Sequence, residues 1–218
     1  MIIKYLGHSA FELRLDDQRK IVFDPYEAGS YDGAVGFDPI TEKYDIAVVS
    51  HDHPDHASAS VIASAENVVD KAGERDIGGV RIGSYSTFHD ETSGGERGKN
   101  LVSIVEVEGM RIAHLGDLGH IIDLGELPEL EGVDVIMIPV GGHFTIDAGT
   151  AASIVERFKP KITIPMHFKT EKLGFPIAAV DDFTALMDNV EVAGGSELEI
   201  SGGTLSGASK VVVLDPAL

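Results

Sequence analysis

The 218-residue chain has no cysteine and no tryptophan. Without thiols, neither a disulfide framework nor a thiolate zinc site is open to it, so imidazole and carboxylate must hold any metal. Basic residues are scarce as well: 17 Lys and Arg stand against 36 Asp and Glu, a formal net charge of −19. Such a surface repels phosphate backbones, and no run of Lys and Arg forms a local basic patch, which argues against nucleic acid as a partner. Long apolar runs are missing too. No stretch approaches the ~20 apolar residues that cross a bilayer, and Met1 to His8 lacks the basic head and apolar run of a signal peptide. The expectation is a cytoplasmic protein without integral membrane contact that acts on a small molecule. A homo-oligomer remains open.

What is present is a steady alternation of short strand and turn signals. No linker-like stretch or internal repeat interrupts it, so residues 1–218 read as one domain. Ile2–Leu6, Ala10–Leu15 and Lys20–Phe23 are short apolar or alternating runs, parted by Gly7-His8-Ser9 and Asp16-Asp17 turns. Asp45–Ser50 is a buried-strand signal ending at His51. Further strands are expected at Val80–Phe88, Leu101–Val107, Met110–Leu115, Val133–Val140, Lys161–Met166, Glu197–Ile200 and Lys210–Leu214, with Glu108-Gly109 turning one hairpin. Helices are expected at Ser58–Glu66, from the Asp147 cap to Lys159-Pro160, and at Ile177–Met187. Hairpins followed by interleaved helices point to two sheets with helices outside.

His51-Asp52-His53-Pro54-Asp55-His56 packs four metal-capable side chains, His51, His53, Asp55 and His56, into six residues. On a turn after a strand, His51 and His53 can grip one cation while Asp55 and His56, further round, reach a second. Pro54 limits the freedom lost on ordering them. A solvated polar loop does not account for this density of ligands. Three later residues, His89, Asp117 and His167, each follow an apolar strand. Singly they are ordinary: a surface turn residue, an Asp after Gly, a core histidine. With the motif they complete the nitrogen and oxygen set that a two-metal hydrolytic site needs.

These signatures resemble, in order, those of metallo-β-lactamase-fold hydrolases. Phe23-Asp24-Pro25, the 51–56 motif, His89, Gly116-Asp117 and His167 span nearly the whole chain. More narrowly, Gly7-His8-Ser9, the run from His114 to His120 and the run from Pro139 to Thr145 resemble the branch containing L-ascorbate-6-phosphate lactonase and related uncharacterised hydrolases. The resemblance implies an α+β fold, an αββα four-layer sandwich with its site at one edge of the two sheets. It implies that His51, His53 and His89 hold one divalent ion, that Asp55, His56 and His167 hold the other, and that Asp117 bridges them. Zinc or manganese suits such a set, and iron fits as well. A metal-bridged hydroxide would then attack a small ester, lactone or phosphate-containing metabolite. Phosphodiesterase- or phospholipase-like hydrolysis is the nearest alternative. A metal-binding sensor without turnover is the reading from a different class, and a di-iron redox protein would need a flavin-bearing domain for which this chain has no room.

Finer roles follow from position. Asp55 is the first candidate to orient or carry the water proton, since it sits beside the nucleophile. His120, three residues past Asp117, either protonates the leaving group or is a loop histidine. Asp24 stands where the resemblance implies a carboxylate behind a ligand imidazole, a role favoured over a plain Asp-Pro turn. His8 joins it there or merely ends a strand. Gly142, His143 and Thr145, ahead of the Asp147 helix start, either receive a substrate phosphate or carboxylate or make a tight strand-to-helix connection. Lys169 and Asn100, with Arg97 and Lys99, are further substrate-anchor candidates. The Gly94-Gly95-Glu96-Arg97-Gly98 loop is expected to be mobile and able to cover the site.

Overall fold

A computed structural model describes residues 1–218. Its strands, numbered in chain order, form two sheets. Across its width the first contains β13 (Glu197–Glu199), β1 (Ile2–Gly7), β2 (Ala10–Arg14), β3 (Lys20–Phe23), β4 (Ile46–Val48) and β5 (Asn67–Val69). The second contains β12 (Val190–Val192), β14 (Lys210–Val213), β11 (Ile162–Met166), β10 (Val135–Pro139), β9 (Met110–His114), β8 (Lys99–Val107), β7 (Val80–Phe88) and β6 (Gly73–Ile77).

Side chains alternate between the faces of each strand. Ile3, Tyr5, Phe11, Leu13, Ile21 and Phe23 therefore join residues of the second sheet, such as Ile82, Ile104 and Ile112, in the main core. Their neighbours Leu6, Ala10, Val22 and Ala47 turn the other way, into a smaller cluster with Val61 of the Ala59–Ser64 helix. The Ala148–Phe158 helix buries Ala151, Ile154, Val155 and Phe158 in the core on the far side. This is the α+β, helix-sheet-sheet-helix sandwich implied by the sequence resemblance. The Asp147 carboxylate caps that helix, accepting the Thr150 N–H at 2.8 Å.

Strand direction explains where the chemistry collects. β1 and β3 both run antiparallel to β2, and β3 is parallel to β4, so these three end at one edge of the first sheet. β7 and β9 both run antiparallel to β8, and β9, β10 and β11 are parallel, so these four end at one edge of the second. Just past those ends stand His8, Asp24, His51, His89, Asp117, Gly141 and His167. Three of them, His8 (φ 55°), Asp24 (φ 41°) and His167 (φ 52°), have left-handed backbones that cost a non-glycine residue about 1–3 kcal/mol each. The His167 N–H donating to the His8 carbonyl at 2.9 Å stitches two of these corners together across the sheets.

Some expectations are corrected. The helix expected over 177–187 shrinks to Asp181–Thr184. Ala178 instead exchanges backbone hydrogen bonds with Gly141 and Lys169, both at 2.8 Å, so tertiary pairing holds that stretch out of a helix. β5, β6 and β12 were not foreseen. They are short or polar, and β6 and β12 expose Glu74, Arg75, Asp76, Val190 and Val192, leaving no alternating apolar signal to read.

Candidate metal centre

The side chains leaving those strand ends converge on one carboxylate oxygen. Asp117 Oδ2 lies 3.1 Å from His56 Nε2, 3.1 Å from His89 Nε2, 3.4 Å from His167 Nε2 and 4.0 Å from His51 Nε2. His51 Nε2 and His53 Nδ1 are 3.0 Å apart, and Asp55 Oδ2 is 3.6 Å from His56 Nε2. The donor atoms fall into two main groups, His51-His53-His89 and His8-Asp55-His56-His167, and Asp24 closes a third with His51 and His56. His51 and His53 are the half-buried members, so the centre opens to solvent on their side, whereas Asp55, His56, His89, Asp117 and His167 are buried.

Asp24 organises the imidazoles from behind. Its Oδ2 is 2.9 Å from His56 Nδ1, and it accepts the Ser50 N–H at 2.7 Å and the Ser50 hydroxyl at 2.6 Å. With its proton given to Asp24, the Ser50 oxygen is free to accept Nδ1–H of His51 at 2.9 Å. Both rings then keep a proton on Nδ1 and turn Nε2 inward, the orientation a metal ligand requires. Burial opposes charge on Asp24, yet His114 and the His56 hydrogen bond hold its carboxyl below the ordinary range. His8 Nε2 sits 3.1 Å from Asp55 Oδ2. Burial, aided by His167, lowers its pKa to about 4, so a neutral His8 donates Nε2–H to Asp55.

The cluster favours positive charge. Against the burial that opposes ionisation, His167 and His56 hold Asp117 well below the usual carboxylate range. Against the same opposition, Asp117 and Asp55 raise His56 well above the usual imidazole value. His56 Nε2, Asp55 Oδ1 and Asp117 Oδ1 are buried without a hydrogen-bond partner. Each such orphan costs about 1–3 kcal/mol. Buried carboxylate oxygens and imidazole nitrogens gathered without hydrogen-bond partners are the donor set that divalent cations satisfy, so these residues fit a metal.

Three supporting residues had no role assigned from sequence. His114 is buried, with Nε2 2.8 Å from the Ser9 carbonyl and Nδ1 accepting the Gly116 N–H at 3.1 Å, and it stacks on Phe23 at 5.3 Å. It thus pins the Asp117 turn to the first sheet. Its position inside the His114-Leu115-Gly116-Asp117 run was visible; its partners were not. Ser50 is the second such residue, through the relay above. Gly119 is the third: a Cβ there would stand 2.1 Å from the His89 backbone carbon, so only glycine lets this turn press against the end of β7.

Other sequence candidates lie elsewhere. Asn100 is not a substrate anchor. It is fully buried, accepts the Asp117 N–H at 2.9 Å and donates to Leu115 O and Thr87 Oγ1, both at 2.9 Å, so its polar atoms are spent holding the Asp117 turn. Lys169 Nζ is likewise committed, to the carbonyls of Leu173 and Phe175. His120 is not among the converging donors: its Nε2 accepts the Phe88 N–H at 3.3 Å and its Nδ1 faces the Ile121 carbonyl at 3.1 Å. Gly142 (φ 64°) makes the strand-to-helix turn, Thr145 is buried against its own loop, and His143 is exposed with its ring 4.4 Å from Phe144. The helix start beyond them offers no anion site at Thr150, because the Asp147 carboxylate already takes that N–H. The 94–98 loop, expected to be mobile, gathers around buried Asp90, whose carboxylate accepts the N–H groups of Thr92, Gly94, Glu96 and Arg97 at 2.7–3.0 Å.

The model of the "Beta-lactamase superfamily domain" family matches residues 2–167. Two sheets meeting at a His/Asp cluster past their strand ends are the fold and site of the metallo-β-lactamase superfamily, and this chain is a metal-dependent hydrolase of that superfamily. A UPF0173 metal-dependent hydrolase of Thermococcus kodakarensis is 32% identical over 91% of this chain and 99% of its own. Another, of Carboxydothermus hydrogenoformans, is 32% identical over 83% and 88%. A crystal structure from Thermotoga maritima, classed as a Zn-dependent hydrolase of the metallo-β-lactamase superfamily, aligns with a TM-score of 0.78 at 32% identity, covering 98% of this chain and 97% of that one. The chain belongs to the UPF0173 metal-dependent hydrolase family. These relatives lend no support of their own to the narrower likeness to L-ascorbate-6-phosphate lactonase.

Proposed function

We propose that this chain is a binuclear hydrolase of a small ester, lactone or phosphate-containing metabolite. The observation that carries the reading is the reach of Asp117 Oδ2 to imidazoles of both donor groups, 3.1 Å to His89 and 3.1 Å to His56. His51, His53 and His89 would hold one divalent ion, Asp55, His56 and His167 the other, and Asp117 both. Zinc or manganese suits this nitrogen and oxygen set, with iron also compatible. When bound, the pair would supply Lewis acidity and lower the pKa of a shared water.

The chain's own residues do the rest. Asp55, fixed by His8, is aimed at the cluster, where it orients a water proton. Asp24 and Ser50 hold a proton on the outward Nδ1 of His56 and of His51, so that each Nε2 faces the cluster. His114, Asn100 and Gly119 hold the Asp117 turn in register with His89. The half-buried side at His53 admits the substrate. A core shared by the two sheets supports reading residues 1–218 as one domain. No helix is long and apolar enough to cross a membrane, which agrees with a cytoplasmic small-molecule enzyme.

The test is a screen of metal-loaded protein against lactones, acyl esters and phosphodiesters, run beside His53→Ala. Hydrolysis of one class, abolished in the variant, is expected. Equal turnover by His53→Ala would overturn the proposal.

A further inference from the structure

Beside the donor cluster the aromatic rings run together, with Phe175 buried and with half-buried Phe144 and exposed Tyr31 giving the run its open face. The Phe175 ring lies 5.7 Å from His8, 5.4 Å from Tyr31 and 5.6 Å from Phe144, each edge-on. The Arg97 guanidinium stands over Phe144 at 5.9 Å from the ring centroid. Because His8 touches Asp55, this face begins at the proposed centre and ends at a cation.

Several separate devices hold the face together. Tyr31 and Asp32 adopt left-handed backbones (φ 53° and 55°), and Tyr31 is nevertheless 46% exposed. Strain of that kind persists where the surroundings enforce it. Here Gly36 N–H donates to Lys172 O at 2.8 Å and Gly174 N–H to Ala34 O at 2.7 Å, clamping the Tyr31 turn onto the Phe175 segment. Lys169 secures Phe175 through its carbonyl. Arg97 is placed by its own N–H donating to Asp90 at 2.7 Å. Its guanidinium has only exposed Glu96 as a side-chain partner, at 3.4 Å, longer than the roughly 2.7–2.9 Å of a strong charged hydrogen bond. In a chain of net charge −19, a positioned and weakly paired cation at the far end of this face favours negative charge.

We infer that Tyr31 and Phe144, backed by buried Phe175, form the subsite for an apolar ring or chain of the substrate, and that Arg97 receives an anionic group at that substrate's far end. The substrate class is therefore a small ester or lactone whose apolar part carries a carboxylate, sulfonate or phosphate. This deepens the hydrolase reading above and rests on it for the chemistry, though not for the binding.

Anilinonaphthalene sulfonate and phenylnaphthylamine share an aromatic skeleton and differ by the sulfonate, and their fluorescence reports binding without turnover. Both are titrated into the purified protein, as isolated and after metal loading, and into Arg97→Gln, Arg97→Lys, Phe144→Ala and Phe144→Leu. The preference for the sulfonate should fall about tenfold in Arg97→Gln, the size of one charged hydrogen bond, and recover in part in Arg97→Lys. Phe144→Ala should weaken both probes, with Phe144→Leu serving if the alanine variant melts early. A second arm compares nitrophenyl hexanoate with mono-nitrophenyl adipate, where the kcat/KM ratio should shift the same way. If the probes discriminate and neither ester is cleaved, the subsite stands and the esterase reading falls. If neither probe binds, or Arg97→Gln keeps the same preference, the subsite is wrong whatever the esters do.

Discussion

His89 Nε2 and Asp117 Oδ2 lie 3.1 Å apart although their strands, β7 and β9, are separated by β8. The same oxygen meets His56 from the other sheet at 3.1 Å. One carboxylate thus joins donors from both layers. Asp117→Ala should lower the metal content of the proposed centre from two ions per chain toward one, read by elemental analysis of the desalted protein. Retention of both ions would exclude Asp117 as their common ligand.

Metal removal should also cost stability. A ligand present at about a hundred times its Kd contributes about 2.7 kcal/mol, which for a chain of this size is roughly 5–10 °C in Tm. Chelation of the loaded protein should lower Tm by that amount and should matter less in Asp117→Ala. Identical melting curves with and without chelator would contradict metal binding at this cluster.

Asn100 is a positioning residue for the Asp117 turn. Asn100→Ala leaves the Asp117 N–H and the Leu115 carbonyl buried and unpaired. The expected cost is about 3 kcal/mol, or about 6–12 °C in Tm. A variant with native melting and only a raised KM would restore Asn100 to substrate binding.

Asp147 links the fold to pH. Thr150, through its N–H and hydroxyl, holds the Asp147 carboxyl below its ordinary 3.8. Because the folded pKa is the lower one, the stabilisation is complete above 3.8 and is lost as pH falls through the folded value. Asp147→Ala should therefore cost about 1 kcal/mol at neutral pH, modest because the cap is exposed. Urea unfolding repeated in acid should show the gap between the two proteins narrowing. A gap that widened would refute the sign.

Asp90 gathers the 94–98 loop. Asp90→Ala should speed amide exchange at Gly94, Glu96 and Arg97 by about tenfold or more while leaving core amides protected. Unaltered exchange there would mean the glycines, not the carboxylate, set the loop.

Much of this molecule was legible in the residues themselves. Val80–Phe88 and Lys20–Phe23 read as strands and the Asp147 helix as a helix because apolar periodicity and capping are local. The donor inventory was equally legible, since imidazoles and carboxylates stood at the ends of strands whose burial the pattern showed. Partners were not legible. That Asn100 binds Asp117, that Ser50 relays Asp24 to His51, that His114 crosses to Ser9 and that Ala178 pairs with Gly141 depend on which elements lie side by side.

The sequence alone thus determined the elements, their direction of burial and the chemistry available at their ends. Only the packed structure decided which of those side chains face the centre, which are spent holding it and which rings line its mouth. The reason is that periodicity and capping act over a few residues, whereas hydrogen bonds between loops are set by sheet order and register.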